Sequence, residues 1–116
     1  MTKDYIGLTN DISEYTRELR KLSPDAMAAF SSLAGAATKA GTLDAKTKEL
    51  AALAVVVALR CDGCIGFHIK TLIKLGTTRE EVAEILAMNL YLGGGPSLMY
   101  AADALRAYDQ FSQAES

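Results

Sequence analysis

Both cysteines and the single histidine of the 116-residue chain fall within the eight-residue stretch CDGCIGFH, residues 61–68. On a helix beginning at or just before Cys61, the residues Cys61, Cys64 and His68 occupy positions i, i+3 and i+7 and share one stripe. Residues three apart on such a turn have α-carbons roughly 5 Å apart, inside the range a disulfide accepts. The two sulfurs are therefore placed to pass between dithiol and disulfide with little backbone movement. The free N–H groups of a helix N-terminus favour negative charge and raise the thiolate fraction of a nearby cysteine. Arg60 acts in the same direction and Asp62 against it. His68, one turn beyond Cys64, is placed to take a thiol proton as general base or to pair with the thiolate. That proximity favours Cys64 as proton donor, whereas Cys61 is nearer the helix start, so the residues alone leave the nucleophile open between the two.

Other chemistries fit the stretch less well. Structural zinc takes four ligands, and Cys61, Cys64 and His68 supply three, with no second CxxC and no second histidine. No metal and no cofactor is therefore expected. A thioredoxin-type motif follows a strand in a βαβ unit, and no run of alternating β-branched residues occurs here. A buried, inert cysteine pair is the plain alternative, because cysteine and a lone histidine are common core residues.

Glu49 is the fourth candidate. It stands at the head of the apolar run LAALAVVVAL, where a carboxylate is costly unless solvated or hydrogen-bonded. A first-turn glutamate also simply stabilises a helix N-terminus. An unbroken helix would hold Glu49 roughly 16 Å from residue 60, which excludes direct contact with Cys61 through that helix alone. In an antiparallel hairpin with the next helix, Glu49 lies opposite about residue 72, beyond His68. Reaching the histidine then requires a tilted crossing, a water bridge or a neighbouring subunit.

The elements that must position these groups read as about six helices, an all-α bundle. The first covers about 4–21, and the second starts at Ser23-Pro24, serine capping and proline at the first helical position, and ends near Gly41. The third runs from Asp44 to Arg60. The fourth follows the cysteines, with Ile65, Ile69 and Leu72 at helical spacing and Gly76 as C-terminal cap. Thr78 to Glu81 form a capping box that opens the fifth, which continues to a hinge at Gly93-Gly94-Gly95. Pro96 opens the sixth. The third helix is apolar on every side over AALAVVVAL and must be surrounded. A small helical chain buries a modest share of its own surface, and Ile85, Met88, Leu90, Tyr91, Leu98, Met99 and Tyr100 add further apolar faces. A helix-mediated homo-oligomer is expected.

The bulk composition bounds the function. The length suits one domain, residues 1–116, since domains most often run to about 100–150 residues. Half the residues are hydrophobic, 22% are charged and the net charge is −2, which excludes disorder and the basic footprint of a nucleic-acid binder. The longest apolar run, 51–59, is far short of the roughly 18 residues that span a bilayer, and the N-terminus has no signal-peptide core. No membrane and no nucleic-acid partner is expected, and the reading is a cytoplasmic protein, where a cysteine pair is more often catalytic or redox-sensing than a staple. Lys46, Lys48, Lys70 and Lys74 offer charge to an acidic substrate or simply form solvated helix faces.

Glu49, eleven residues, Cys61-x-x-Cys64, three residues and His68, set in KTKELAALAVVVALRCDGCIGFHIKTLIKLGTTREEVAEILAMNLYLGGGPSLMYAADAL from residue 46 to 105, together resemble the alkylhydroperoxidase AhpD-like branch of the carboxymuconolactone decarboxylase family. The resemblance implies an all-helical fold assembled as a trimer or hexamer. It implies that Cys64 attacks an organic hydroperoxide or disulfide substrate, that Cys61 closes the disulfide, and that Glu49 and His68 relay protons. It further implies reduction by a dithiol such as dihydrolipoamide or a thioredoxin-like protein, with a peroxiredoxin as a possible downstream acceptor. One feature departs from that branch: its peroxidases resemble C-x-H-C, and Gly63 stands here where they place a histidine. The decarboxylase branch, which acts on a carboxylated lactone, resembles this chain at Glu49 and His68 and usually lacks the cysteine pair. A redox-sensing oligomer without turnover is the remaining alternative.

Overall fold

In the computed structural model, which describes residues 2–115, all regular structure is helical. Helix α1 spans Tyr5–Leu22, α2 Pro24–Thr38, α3 Ala45–Ala58, α4 Asp62–Lys74 and α5 Arg79–Glu115. The fifth is two arms joined at Gly94, whose φ of 67° and ψ of −148° leave the helical region just before Pro96. Six helical segments are therefore present, and the glycine hinge falls where the sequence places it. No helix of the described residues is long and apolar enough to cross a membrane.

Local chemistry sets the boundaries. Asp4 and Asp44 cap α1 and α3 by accepting the backbone N–H groups of Gly7 and Thr47, at 3.1 and 2.7 Å. Thr78 and Glu81 form the reciprocal capping box at the start of α5: the Thr78 N–H donates to the Glu81 carboxylate, and the Glu81 N–H donates to the Thr78 hydroxyl. The Lys46 ammonium also pairs with Glu81, and Lys48 donates to the carbonyls of Ala37 and Lys39 at the end of α2. Two of the four lysines considered for substrate attraction are thus occupied by the scaffold.

Helices α3 and α4 end the same way. The N–H groups of Gly76 and Thr77 bond back to the carbonyls of Ile73 and Leu72, and those of Arg60 and Cys61 bond back to Val57 and Val56. Each pair is the crossed hydrogen-bond pattern that closes a helix through a left-handed residue. Gly76 takes that conformation without penalty at φ 77°. Arg60 takes it at φ 60°, the non-glycine residue in that region, directly before Cys61.

Helix α3 packs on α4 and α5, and α1 lies across α4. Their shared core holds Leu53, Val56, Val57, Ile65, Ile69, Leu72, Val82 and Ala104. The second arm of α5 folds back along the first, tied by the Tyr108 hydroxyl to the Thr77 carbonyl at 2.7 Å and by Arg79 to Asp109 at 2.9 Å. The guanidinium beside it, through its hydrogen bond and then its charge, holds the Asp109 carboxyl below the usual range. Helix α2 buries none of its residues, and Phe30 and Leu33 are each 66% exposed. The radius of gyration, 14.6 Å, accordingly exceeds the roughly 13 Å of a tightly packed chain of this length.

Candidate functional site

The site forms at the corner between α3 and α4. The left-handed turn at Arg60 ends α3 and delivers Cys61 as the extended residue that caps α4, its sulfur accepting the N–H of Cys64 at 3.3 Å. Cys61 and Cys64 are joined as a disulfide with α-carbons 5.2 Å apart, as the spacing requires. Cys61 is thus the capping residue and not the first residue of the helical stripe, while both sulfurs stay on the helix's opening turn. Both cysteines are half-buried.

His68 follows one turn after Cys64, and its Nδ1 lies 2.6 Å from Oε2 of Glu49. Glu49 is only 6% exposed, so its carboxylate depends on that partner. The hairpin estimate set Glu49 opposite residue 72, an offset of four residues or roughly 6 Å of helix rise. In the structure the two side chains span that offset directly, within one chain. A carboxylate on one imidazole nitrogen fixes the ring and leaves its other nitrogen free for proton exchange. Of the four residues singled out from the sequence, Glu49 and His68 meet across α3 and α4, and Cys61 and Cys64 are bonded at the start of α4, one turn before His68.

Other residues support the opening turn of α4, and apart from the charge of Asp62 sequence reasoning gave them no role. Asp62, between the cysteines, accepts the Tyr5 hydroxyl at 2.8 Å and the Lys3 ammonium at 2.9 Å. Lys3 also reaches Asp103 at 2.7 Å and sits 4.7 Å from the centre of the Tyr100 ring. Burial and the hydrogen bond to Asp62 drive the Tyr5 phenol far above its ordinary value, so it stays a donor at any relevant pH. For Lys3, burial opposes the charge, but the hydrogen bonds to Asp103 and Asp62 outweigh it and raise its pKa. The negative charge of Asp62, which would oppose thiolate formation, is therefore matched by a fixed cation and a fixed hydroxyl. The available signal was Tyr5 and Lys3 themselves, an aromatic and a cation at the head of an amphipathic helix, with nothing local to show that they meet residue 62.

Helix α1 approaches α4 where glycines permit it. A β-carbon on Gly66 would lie 2.6 Å from the Thr9 methyl, and one on Gly63 would lie 2.7 Å from Ile12 Cδ1. Ile12 therefore fills the space beside the position at which the resembling peroxidases carry a histidine. Among the described residues, no group of three or more histidine, cysteine, aspartate or glutamate side chains is arranged to hold a metal ion.

Comparison with known proteins shows the family and the fold. A sequence model described as the carboxymuconolactone decarboxylase family matches residues 24–107. An uncharacterized protein of Cupriavidus necator is 41% identical over 109 residues, covering 94% of this chain and 96% of the relative. An apo crystal structure of a carboxymuconolactone decarboxylase family protein from Legionella pneumophila superposes with a TM-score of 0.91 at 57% identity, covering 93% of this chain and 96% of that one. A member of the same family from Thermotoga maritima, for which a part in antioxidative response has been suggested, superposes with a TM-score of 0.74 at 29% identity over 88% of this chain and 92% of its own.

Proposed function

The chain belongs to the carboxymuconolactone decarboxylase family, and from that premise we propose that it is a cytoplasmic thiol–disulfide oxidoreductase that reduces organic hydroperoxides. The carrying observation is the Cys61–Cys64 disulfide on the opening turn of α4, one turn ahead of a histidine held by a buried glutamate. In the reduced protein, the Cys64 thiolate attacks the outer peroxide oxygen. The O–O bond breaks, Cys64 becomes a sulfenic acid, and the alkoxide leaves as an alcohol after taking a proton. His68, positioned by Glu49, accepts the thiol proton and returns it to the leaving oxygen. The Cys61 thiolate then attacks the Cys64 sulfur, forming the S–S bond and breaking the S–O bond, and the hydroxide takes up the proton that the Cys61 thiol gave up and leaves as water. A dithiol, dihydrolipoamide or a thioredoxin-like protein, restores both thiols by two exchange steps and leaves as its own disulfide. A peroxiredoxin disulfide is an alternative electron acceptor.

The test is thiol loss in fully reduced protein mixed with an organic hydroperoxide, for the parent, Cys61→Ser, Cys64→Ser and His68→Ala. Rapid loss of both thiols in the parent, a trapped sulfenic acid in Cys61→Ser and no reaction in Cys64→Ser are expected. Oxidation no faster than that of a free thiol, with ready exchange against a protein disulfide, would leave the oxidoreductase and remove the peroxidase. A disulfide-linked change of assembly with no turnover would identify a sensor.

Exposed apolar surface supports the accompanying reading of a homo-oligomer, trimer or hexamer. Leu92, 76% exposed, shares a cleft with the exposed Val55 and Met88, and Tyr91, Leu59 and Met99 are exposed as well. Within that face the buried Asn89 donates to the Ala54 carbonyl, while its own Oδ1 finds no partner among the described residues. A second copy supplies apolar cover for that face. Static light scattering should give a multiple of the chain mass, and Met88→Glu should reduce it.

A further inference from the structure

A groove of about 420 Å³ runs between α1 and α4, lined by Ser13, Thr16, Arg17 and Arg20 on one side and Phe67 on the other. The four α1 residues stand at i, i+3, i+4 and i+7, one continuous stripe of two hydroxyls and two guanidinium groups. The carboxylates of the same helix, Asp11, Glu14 and Glu18, fall on an arc centred roughly 140° away around the helix. Glu18 is also paired with Lys21. Among the described residues the exposed Arg17 and Arg20 side chains have no hydrogen-bonding or ion-pair partner, a condition they share with those of Lys39, Arg60, Lys70 and Lys74, whereas Lys3, Lys46, Lys48, Arg79 and Arg106 each have one. Ser13 and Thr16 are half-buried, as is Phe67.

The groove shares its α4 wall with the redox pair. Phe67 lies one turn after Cys64, immediately before His68, and Ile12, the neighbour of Ser13, rests on Gly63 between the two cysteines. An arginine pair matches a carboxylate in bidentate geometry, and the half-buried hydroxyls add donors. The Phe67 ring offers an apolar surface to the chain that links such a carboxylate to the reacting end.

We propose that the Ser13–Thr16–Arg17–Arg20–Phe67 groove binds the carboxylate and adjoining alkyl chain of the substrate, so that the physiological oxidant is a hydroperoxide of a carboxylic acid. This rests on the hydroperoxide-reducing reading above and names its substrate class. The chemistry is unchanged: the hydroperoxy acid is reduced to the hydroxy acid, the cysteine pair is oxidised to the disulfide, and a dithiol is consumed in restoring it.

The experiment measures kcat/KM for hydroperoxyoctanoate and for its methyl ester, with dithiothreitol as the reductant, together with direct binding of octanoate. The parent should prefer the acid over the ester by about tenfold at low ionic strength, and the preference should shrink as salt screens the charges. Arg17→Gln combined with Arg20→Gln should bring the acid-to-ester ratio near one and weaken octanoate binding by about tenfold, while Lys39→Gln, which removes one charge just beyond the end of α2, keeps the ratio. Equal use of acid and ester by the parent, or an unchanged ratio in the double variant, overturns the proposal. So does displacement of octanoate by equimolar inorganic phosphate, which would mark a general anion patch. If the parent reduces neither hydroperoxide, the peroxidase reading fails, and octanoate binding in the parent and the double variant still decides the groove.

Discussion

Replacing Gly66 with alanine tests whether the approach of α1 to α4 is as rigid as the geometry requires. Gly66 lies inside α4, where an Ala-for-Gly exchange in an open position stabilises a helix by about 1 kcal/mol. Here the new methyl carbon would sit 2.6 Å from the Thr9 methyl and 3.4 Å from Tyr5 Cδ1. Both neighbours are buried, and the Thr9 hydroxyl is bonded to the Tyr5 carbonyl at 2.8 Å, which fixes the rotamer that carries the offending methyl. Relief therefore requires α1 to move by most of an ångström, which places the cost in the upper part of the overpacking range, about 2–3 kcal/mol. After the propensity gain is subtracted, a net loss of about 1–2 kcal/mol remains. For a chain of this size that is a fall in Tm of about 4–8 °C. Gly63 provides the internal comparison, because its added methyl would meet only Ile12 Cδ1, the far end of a flexible and half-buried side chain. Gly63→Ala should change Tm by less than about 2 °C, well inside the cost of a poorly packed single methyl. Calorimetry or thermal circular dichroism on the oxidised protein reads both. A Gly66→Ala protein at least as stable as the parent would refute the reasoning, since helix propensity would then have outweighed a contact taken as immovable.

Glu49→Gln keeps the shape of the side chain and removes the charge facing His68; cysteine oxidation by hydroperoxide should slow by about a hundredfold, the low end of the usual span for general acid–base assistance, with an unchanged circular dichroism spectrum. Tyr5→Phe removes the hydroxyl bonded to Asp62, which keeps Lys3; a loss of about 1 kcal/mol, near 4 °C in Tm, is expected, and no loss would mean that the bond contributes nothing net. Asp109, Glu81 and Asp44 are all held below the usual carboxylate range, first by hydrogen bonds from Arg79, Lys46 and Thr47 respectively. Their folded-state values lie under the unfolded ones, so their stabilisation is present above about pH 4 and lost as pH falls through the folded values. Tm should therefore fall on acidification below about pH 4, and less steeply in Arg79→Gln, which already lacks the partner of Asp109.

The helical plan was legible because each boundary carries its own chemistry. Pro24, Asp44, Gly76 and the Thr78–Glu81 box are local signals, and the structure places a helix end at each, although the Ser23 side chain does not make the capping bond expected of it. The cysteine pair was legible for the same reason, since a three-residue spacing on one turn determines its separation without reference to the remaining fold. The contact from Glu49 to His68 was not. It depends on how α3 and α4 cross, and an ideal hairpin misses it by four residues. The clamp on Asp62 was hidden more deeply, because Lys3 and Asp62 are 59 positions apart and Lys3 and Asp103 are 100 apart. No periodicity reports such a pairing. Helix three shows the converse: its uniformly apolar sequence implied enclosure, yet Val55 and Ala58 remain exposed in the single chain.

The order of events at the corner follows from one residue serving two elements. Cys61 closes α3 through its N–H and opens α4 through its sulfur, so the group that caps the helix is also a partner in the disulfide. Any change at that sulfur is felt at the first turn of α4, which carries Cys64 and leads to His68. The left-handed Arg60 fixes where the turn occurs, at a backbone cost of about 1 kcal/mol or more that glycine would not incur. Arginine there places a permanent cation beside Cys61, in the direction that favours thiolate. Arg60→Gly should accordingly separate the two effects. Relief of the strain is offset in part by the greater freedom of glycine in the unfolded chain, leaving a gain of up to about 1 kcal/mol in folding stability. Loss of the charge should at the same time shift thiol alkylation by iodoacetamide to higher pH. A variant both more stable and unchanged in its alkylation profile would show that Arg60 matters to the turn alone, and that the helix N-terminus by itself supplies whatever activation the cysteines have.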